Sequence, residues 1–168
     1  SVHEDATGTV WVGTLGGGLR RLTPGEDGVR IYEAVPEDPG SLSDDEVSAI
    51  LEDRQGILWV ATYGGLDRFA RARGTAVRLR HTDDPVSLAS NDVRSVLVTR
   101  DGTLLVGTDR TLDRSPDGRT FSHTRIGGDL DQHPVRALTE DRDGVVWVGT
   151  EGAGLYRIGA DGELRQAT

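Results

Sequence analysis

The four histidines are the first residues to consider for chemistry, because imidazole is a common metal ligand and acid–base group. They are His3, His81, His123 and His133. No His-x-His or His-x-x-x-His pair occurs, although such spacing is what places two ligands on one face of an element. The chain also has no cysteine, which excludes disulfides, thiolate metal sites and cysteine nucleophiles. We therefore expect no metal centre and no cofactor.

Adjacent carboxylates are the second candidates, as a general acid and base. Glu52-Asp53 and Glu140-Asp141 are such pairs, but Glu4-Asp5 stands in the same context before a glycine turn, so a role in forming turns is favoured. Residues 141–144 resemble the start of a calcium loop but lack its later oxygen ligands. A Gly-x-Ser-x-Gly nucleophile elbow is absent. The sequence thus offers no catalytic residue.

Composition limits the class of protein further. The chain has 168 residues, of which 35% are apolar and 23 are glycine, and only 6 are proline, so the glycine excess indicates turns. With 28 acidic and 19 basic residues, the net charge of −9 argues against a nucleic-acid partner, which requires a positive face. No apolar run is long enough to span a membrane. We expect no direct membrane contact by this segment.

A repeated tetrapeptide organises the whole chain. The motif recurs after 48, 46 and 42 residues, each time with a glycine three residues before it and a Leu-x-Arg after it. Its four copies are Trp11-Val12-Gly13-Thr14, Trp59-Val60-Ala61-Thr62, Leu105-Val106-Gly107-Thr108 and Trp147-Val148-Gly149-Thr150. The chain is therefore a string of four similar units.

Each unit has the pattern of four short β-strands, with apolar runs of four to seven residues bounded by Gly, Pro and Asp. The strand that carries the tetrapeptide has apolar atoms on both faces, so its sheet needs a neighbour on each side, as in a propeller. The sequence predicts an all-β propeller with four-stranded blades at residues 1–34, 46–82, 92–126 and 134–168. Each Trp is expected to wedge between blades, and the small third residue to allow close approach of the adjacent backbone. Leu105 predicts a looser junction.

These motifs resemble the two-component regulator propeller repeat. The resemblance rests on residues 47–66, on Asp38-Pro39-Gly40-Ser41-Leu42, and on Asp84-Pro85-Val86-Ser87-Leu88, and it extends over all 168 residues. It implies propellers of about seven blades. The chain is then an open arc of a larger propeller, with a closed four-bladed ring as the alternative.

The resemblance implies an extracytoplasmic, periplasmic sensor region of a bacterial hybrid histidine kinase or diguanylate cyclase receptor. The expected partners are a small-molecule or oligosaccharide ligand, the remaining blades and output domains of the parent chain, and a second receptor copy in a homodimer. No output activity is expected in this chain. A propeller lyase or glycoside hydrolase is one alternative, and a protein–protein interaction scaffold is another.

Topology places the candidate site. In a four-stranded meander the glycine-rich turn after each tetrapeptide lies at the same end as the long connector between blades, and binding residues collect on such loops. We call this end the connector face and the opposite end the tight-turn face. The candidate ligand-binding residues there are Tyr63, Arg94, Arg110, His133, Arg136 and Glu151.

The two arginines carry this expectation. Arg94 and Arg136 occupy the same place, one residue into the first strand of their blades, as Ser48 does. Their planar donor forks suit a carboxylate, a sulfate or sugar hydroxyls. The alternative is that each pairs with a nearby acid such as Asp92 or Asp131. Tyr63 could stack on a sugar, or only pack on a proline.

Overall fold

The computed structural model describes residues 1–127, 133–159 and 161–167. Within them the chain forms sixteen strands in four four-stranded antiparallel sheets and no helix, which confirms the all-β prediction. The strands of each sheet follow one another in chain order, so each sheet is a meander; we call the sheets blades 1 to 4. None of the described residues forms a helix that is long and apolar enough to cross a membrane.

The strands have the following bounds. Blade 1 contains β1 (Val2–Glu4), β2 (Val10–Gly13), β3 (Leu19–Leu22) and β4 (Arg30–Tyr32). Blade 2 contains β5 (Val47–Glu52), β6 (Leu58–Thr62), β7 (Gly65–Ala70) and β8 (Thr75–Leu79). Blade 3 contains β9 (Val93–Val98), β10 (Leu104–Thr108), β11 (Thr111–Ser115) and β12 (Ser122–Arg125). Blade 4 contains β13 (Val135–Glu140), β14 (Val146–Thr150), β15 (Leu155–Ile158) and β16 (Leu164–Gln166).

The chain divides into two compact units with two blades each. The first unit is Ser1–Arg80 and holds blades 1 and 2, and the second is His81–Thr168 and holds blades 3 and 4. The assignment of residues 1–168 to one continuous propeller segment stays a prediction.

An aspartate closes the first hairpin of three blades. Asp5, Asp53 and Asp141 each accept hydrogen bonds from the backbone amides two and four residues later, at 2.9–3.1 Å. Each also accepts the indole Nε1 proton of the tryptophan six residues later, at 3.1, 3.0 and 2.8 Å. The acidic pairs are therefore structural, as the sequence favoured, and residues 141–144 form this turn.

The pKa values of these carboxyls follow from their hydrogen bonds. Burial alone would raise the pKa of Asp5, but bonds from Thr7, Trp11 and the backbone hold it well below its ordinary value. For Asp141 the Trp147 indole is the largest cause of a lowered pKa. The carboxylate thus stays ionised while it orders both the turn and the indole.

Blade 3 lacks both members of this pair. Leu105 stands where the other blades have tryptophan, and Thr99 stands six residues before it, where they have aspartate. Asp101, the acid nearest this position, instead accepts bonds from the Thr99 hydroxyl and from the Thr103 amide, at 2.5 and 3.0 Å. The turn is kept, but its side-chain link to the next strand is lost.

Aromatic rings fill the junction between blades 1 and 2. Trp11 is 1% exposed and lies 5.7 Å from the ring of Phe69 in blade 2, which contacts Tyr32 at 4.9 Å. Arg71 of blade 2 ties the same junction by ion pairs to Asp5 at 3.1 Å and to Glu52 at 2.9 Å. The predicted wedge is confirmed for Trp11.

The small third residue of the tetrapeptide faces a side chain of the next blade. A Cβ added at Gly13 would lie 2.4 Å from Val47 Cγ1, and one at Gly107 would lie 2.6 Å from Val135 Cγ1. Among the atoms of the following blade, those nearest to these positions belong to a valine side chain, and the close approach of the backbone stays a prediction. Glycine makes room for the valine side chain that begins the first strand of the following blade.

Buried side chains fix the connectors before blades 2 and 3. Leu42 and Leu88 are each 1% exposed. Asp67, which is fully buried on β7, accepts bonds from the Ser43 amide at 2.8 Å and the Ser43 hydroxyl at 2.7 Å. Burial raises the pKa of Asp67 to about 6, against the opposing effect of Ser43 and two arginines.

We expect Trp11→Ala to lower the free energy of unfolding by about 3–5 kcal/mol, because it empties a filled junction. Trp147→Ala is the matched control, since Trp147 has the same motif and the same aspartate bond but is only half-buried. Its loss should be smaller. Chemical denaturation of both variants measures the difference, and equal losses would contradict the wedge role of Trp11.

Asp67 should make stability depend on pH between about 4 and 6. At these pH values the folded chain keeps a proton that the unfolded chain has lost, because the folded pKa is about 6 against an ordinary 3.8. The contribution is fully present below about pH 4 and lost as the pH rises through 6; it amounts to at most about 3 kcal/mol. Asp67→Asn should flatten this part of the denaturation profile, and an unchanged slope would refute the assignment.

Candidate functional site

The glycine-rich turns and the connectors lie at the same end of each unit, as predicted. In the first unit the amides of Gly16 and Gly18 donate to the Asp45 carbonyl at 3.1 and 2.9 Å. In the second unit the Asp109 amide donates to the Asp92 carbonyl at 3.1 Å, and the Glu151 amide to Pro134 at 2.8 Å. These bonds assemble the connector face from turns and connectors together.

Three of the first strands contain an irregularity at this face. The pairing shifts between Val47 and Ala49 in β5, between Val135 and Ala137 in β13, and opposite Gly107 and Thr108 in β9. The residues left out of register are Ser48, Arg136 and Arg94. A bulge frees a residue from the ladder and redirects its side chain. At the bulged position, the side chains of Arg94 and Arg136 can therefore point away from the sheet ladder.

Arg94 and Arg136 meet at one carboxylate. Arg136 Nε donates to Glu151 Oε2 at 2.7 Å, and Arg94 Nη1 lies 3.8 Å from the same oxygen. Arg94 also grips Asp92 with two bonds, Nε to Oδ1 at 3.0 Å and Nη2 to Oδ2 at 2.7 Å. We call Asp92, Arg94, Arg136 and Glu151 the connector-face cluster. Its two positive and two negative charges balance.

His133 contacts the backbone of Glu151, a member of the cluster. Its Nδ1 lies 3.2 Å from the backbone oxygen of Glu151. The ring packs so closely on Gly127 that an added Cβ there would lie 2.4 Å from His133 Cδ2, and one at Gly152 would lie 3.2 Å from Nδ1. His133 is therefore placed to hold the turn that carries Glu151.

Arg110 lies beside the cluster. Its Nε is 3.4 Å from Oδ2 of the neighbouring Asp109. The other oxygen, Asp109 Oδ1, is buried and has no hydrogen-bond donor within the parts of the chain that are described. Since the Asp109 amide bonds to Asp92, this unmet acceptor adjoins the cluster.

Tyr63 belongs to the first unit and is described with that unit alone. Its amide donates to the Glu46 carbonyl at 3.2 Å, and its residue is 37% exposed. Tyr63 therefore lies on the connector face of blade 2, as the sequence predicted. Binding by any of the six candidate residues stays a prediction.

The sequence left open whether the arginines bind a ligand or pair with acids. The structure shows Arg94 paired with Asp92. Asp131, the other acid considered, lies outside the described residues, as does most of the connector before blade 4. The partner that Arg136 takes is Glu151, itself a candidate for binding. The sequence did not reveal the bulges, because bulged and regular residues have the same local composition.

Each of the other three histidines has a polar partner. His3 lies 3.4 Å from Glu52, His81 Nδ1 lies 2.7 Å from the Leu88 carbonyl, and His123 lies 2.9 Å from the buried Asp113. Across the described residues, no group of three or more His, Asp or Glu side chains could hold a metal ion. These histidines fasten strands and connectors.

Comparison with known proteins identifies the repeats. The family model described as two component regulator propeller matches residues 41–64, 87–110 and 129–152. The extracellular domain of a hybrid two-component system from B. thetaiotaomicron is similar over 98% of this chain, with 26% identity and a TM-score of 0.83. The extracellular domain of a one-component system from the same organism has 21% identity over 98% of the chain and a TM-score of 0.78. A comparison with curated protein sequences finds no match.

These likenesses are limited in extent. The chain spans 22% and 24% of the lengths of those two solved domains. Virginiamycin B lyase from Staphylococcus aureus is also similar over 98% of the chain, with a TM-score of 0.72, but its 15% identity shows the fold alone. The family resemblance drawn from the sequence is confirmed by the matches to the family model and by the first of these structures.

We expect Glu151→Gln to strengthen the binding of inorganic sulfate by about two- to fivefold, the range of one exposed ion pair. The substitution leaves Arg94 and Arg136 without their shared carboxylate, so the cluster gains one net positive charge. Glu163→Gln in the β15–β16 turn is the control, because it changes the total charge equally. Sulfate titration followed by calorimetry measures both, and equal gains would show a general charge effect only.

Proposed function

Because the chain is built of two-component regulator propeller repeats, we propose that it is a ligand-sensing segment of an extracytoplasmic receptor domain. Its similarity to the extracellular domain of a hybrid two-component system supports this role. The output, whether kinase or cyclase, lies outside this chain in the proposal. The segment contributes binding and no chemical step.

The proposed binding site is the connector-face cluster with Arg110 and His133 beside it. The observation that carries the proposal is the convergence of Arg94 from blade 3 and Arg136 from blade 4 on Glu151. A rigid pair of sheets presents these side chains on bulges and turns, where binding residues usually collect. Tyr63 is proposed as a stacking residue of the first unit.

Charge balance in the cluster indicates the class of ligand. An anion would have to displace the carboxylate of Glu151 from two arginines, whereas a neutral hydroxyl can donate to a carboxylate and accept from a guanidinium without separating them. We therefore favour a neutral, hydroxyl-rich solute such as an oligosaccharide over an acidic one.

Binding at this place would act on the junction of blades 3 and 4. The cluster takes Asp92 and Arg94 from one blade and Arg136 and Glu151 from the next, so a bound solute contacts both. A ligand shifts an equilibrium only by its differential affinity for the two states. The solute would thus favour one arrangement of these blades, and of a receptor dimer that contains them.

The decisive experiment is a heat-unfolding scan of the 168-residue chain with maltotetraose and trigalacturonate as neutral and acidic probes, followed by mass analysis of each recovered probe. A ligand at 100 times its dissociation constant adds about 2.7 kcal/mol, which is several degrees for a domain of this size. We expect a shift with the neutral probe, recovered intact. The shift should be lost in Arg94→Gln and in Arg136→Gln.

Arg165→Gln is the matched control, because Arg165 is an exposed arginine of blade 4 whose ion pair with Asp161 lies at the tight-turn face. It should keep the shift. A shift that survives both cluster variants would move the site elsewhere. A probe recovered in cleaved form would favour the lyase or hydrolase alternative, and no shift with either probe would overturn the sugar assignment.

A further inference from the structure

A cavity lies at the tight-turn face of the second unit, away from the connector-face cluster. It has a volume of about 390 Å³ and opens between the turns of blades 3 and 4. Its apolar floor consists of Leu105, Val146 and Ile158. This volume falls within the range of small-molecule sites, about 300–1,000 Å³. None of the six candidate residues of the connector face lines it.

The cavity exists because this junction lacks aromatic volume. In the first unit the corresponding junction holds Trp11, Tyr32 and Phe69 in mutual contact. The strand registers place three smaller residues, Leu105, Thr124 and Ile158, at the same positions in blades 3 and 4. Interiors are normally packed without such gaps. The cavity therefore lies where the first unit has aromatic side chains.

Arginines surround the opening. Arg100 is engaged, because its Nη1 donates to the Arg142 carbonyl at 2.8 Å and its Nη2 donates to the Asp141 carbonyl. The guanidinium of Arg114 makes no hydrogen bond within the described ranges 1–127, 133–159 and 161–167, and it reaches to Gly162 of blade 4. Arg142 is exposed on the same rim.

Two of the three acids that line the rim, Glu140 and Asp101, accept backbone hydrogen bonds, and the third, Asp143, is exposed. Glu140 Oε2 accepts the Arg100 amide at 2.8 Å. Asp101 Oδ1 accepts the Thr99 hydroxyl and the Thr103 amide, and these bonds hold the pKa of Asp101 below its ordinary value. Glu140 and Asp101 are thus committed to turns, and the charge of Arg114 is a smaller cause of the lowered pKa of Asp101. The guanidinium of Arg114 donates no hydrogen bond within the described residues, so it has capacity for an anionic oxygen at the cavity mouth.

We propose that this cavity binds a small aromatic carboxylate. The ring occupies the space that corresponds to the position of Trp11 in the first unit, and the carboxylate lies on the guanidinium of Arg114. An apolar floor with a few polar groups at its edge is the usual lining of a small-molecule site. The site is independent of the proposed function, because it lies at the other end of the blades and uses other residues. A bound molecule there would fasten blade 3 to blade 4.

The test uses indole-3-propionate and uncharged indole as probes of the 168-residue chain, followed by calorimetry and by amide chemical shifts. Indole-3-propionate should bind and shift the amides of Leu105, Val146 and Ile158. Arg114→Gln should weaken its binding by about tenfold, the lower end of the usual effect of a hydrogen bond to a charged group, and leave indole unaffected. Arg119→Gln, an exposed arginine of the same blade, should change neither.

A cavity-filling variant makes the test independent of Arg114. Thr99→Asp combined with Leu105→Trp restores the aspartate–tryptophan pair of the other blades, and it should raise the unfolding temperature and abolish binding of both probes. If this variant fails to fold, Leu105→Phe alone provides the same block with a smaller ring. Binding that persists in a folded, filled variant would overturn the proposal, as would failure of the wild-type chain to bind indole-3-propionate at millimolar concentration.

Discussion

The aspartate carboxylate that links the first hairpin to the tryptophan of the second strand is the interaction on which three of the four blades depend. One aspartate side chain closes a tight turn through two backbone amides and fixes the indole six residues later. The indole then fills the junction to the next sheet, as Trp11 does. Blade 3 shows that the two residues act as one unit, because Thr99 and Leu105 replace both together and a cavity lies at that junction. Local turn chemistry and packing between blades are therefore coupled through a single side chain.

The connector face depends on a different constraint. Its long loops are held by buried leucines and by Asp67 or Asp113, so that the arginines can be presented on a fixed frame. The connector-face cluster is held together by hydrogen bonds and ion pairs between side chains of two adjacent blades. Because its charges balance, it can persist in water without a ligand, and its ion pairs give only modest stability at such exposure. Such a balanced cluster is compatible with the binding role that we propose for it.

Much of this fold could be predicted from sequence, because the signals are periodic. The tetrapeptide indicated the strands, the blades and the equivalence of Arg94 with Arg136, and the Asp-Pro-x-Ser-Leu segments supported the family resemblance. The bulges could not be predicted, since a shift in pairing leaves no mark in composition. The partner of Arg136 depended on a turn fifteen residues away, and the Asp67 anchor on a connector twenty-four residues earlier. Such contacts follow from tertiary packing and not from local pattern.

The repeated bulge has a consequence for how such a chain can evolve. A residue outside the hydrogen-bonded ladder can be exchanged with little loss of sheet pairing, and Ser48, Arg94 and Arg136 show three occupants of equivalent positions in one chain. Three of the four blades have this permissive position at the start of their first strand. Recognition can therefore diversify one blade at a time while the scaffold stays constant, so that a family of such propellers can acquire new specificities through single codon changes.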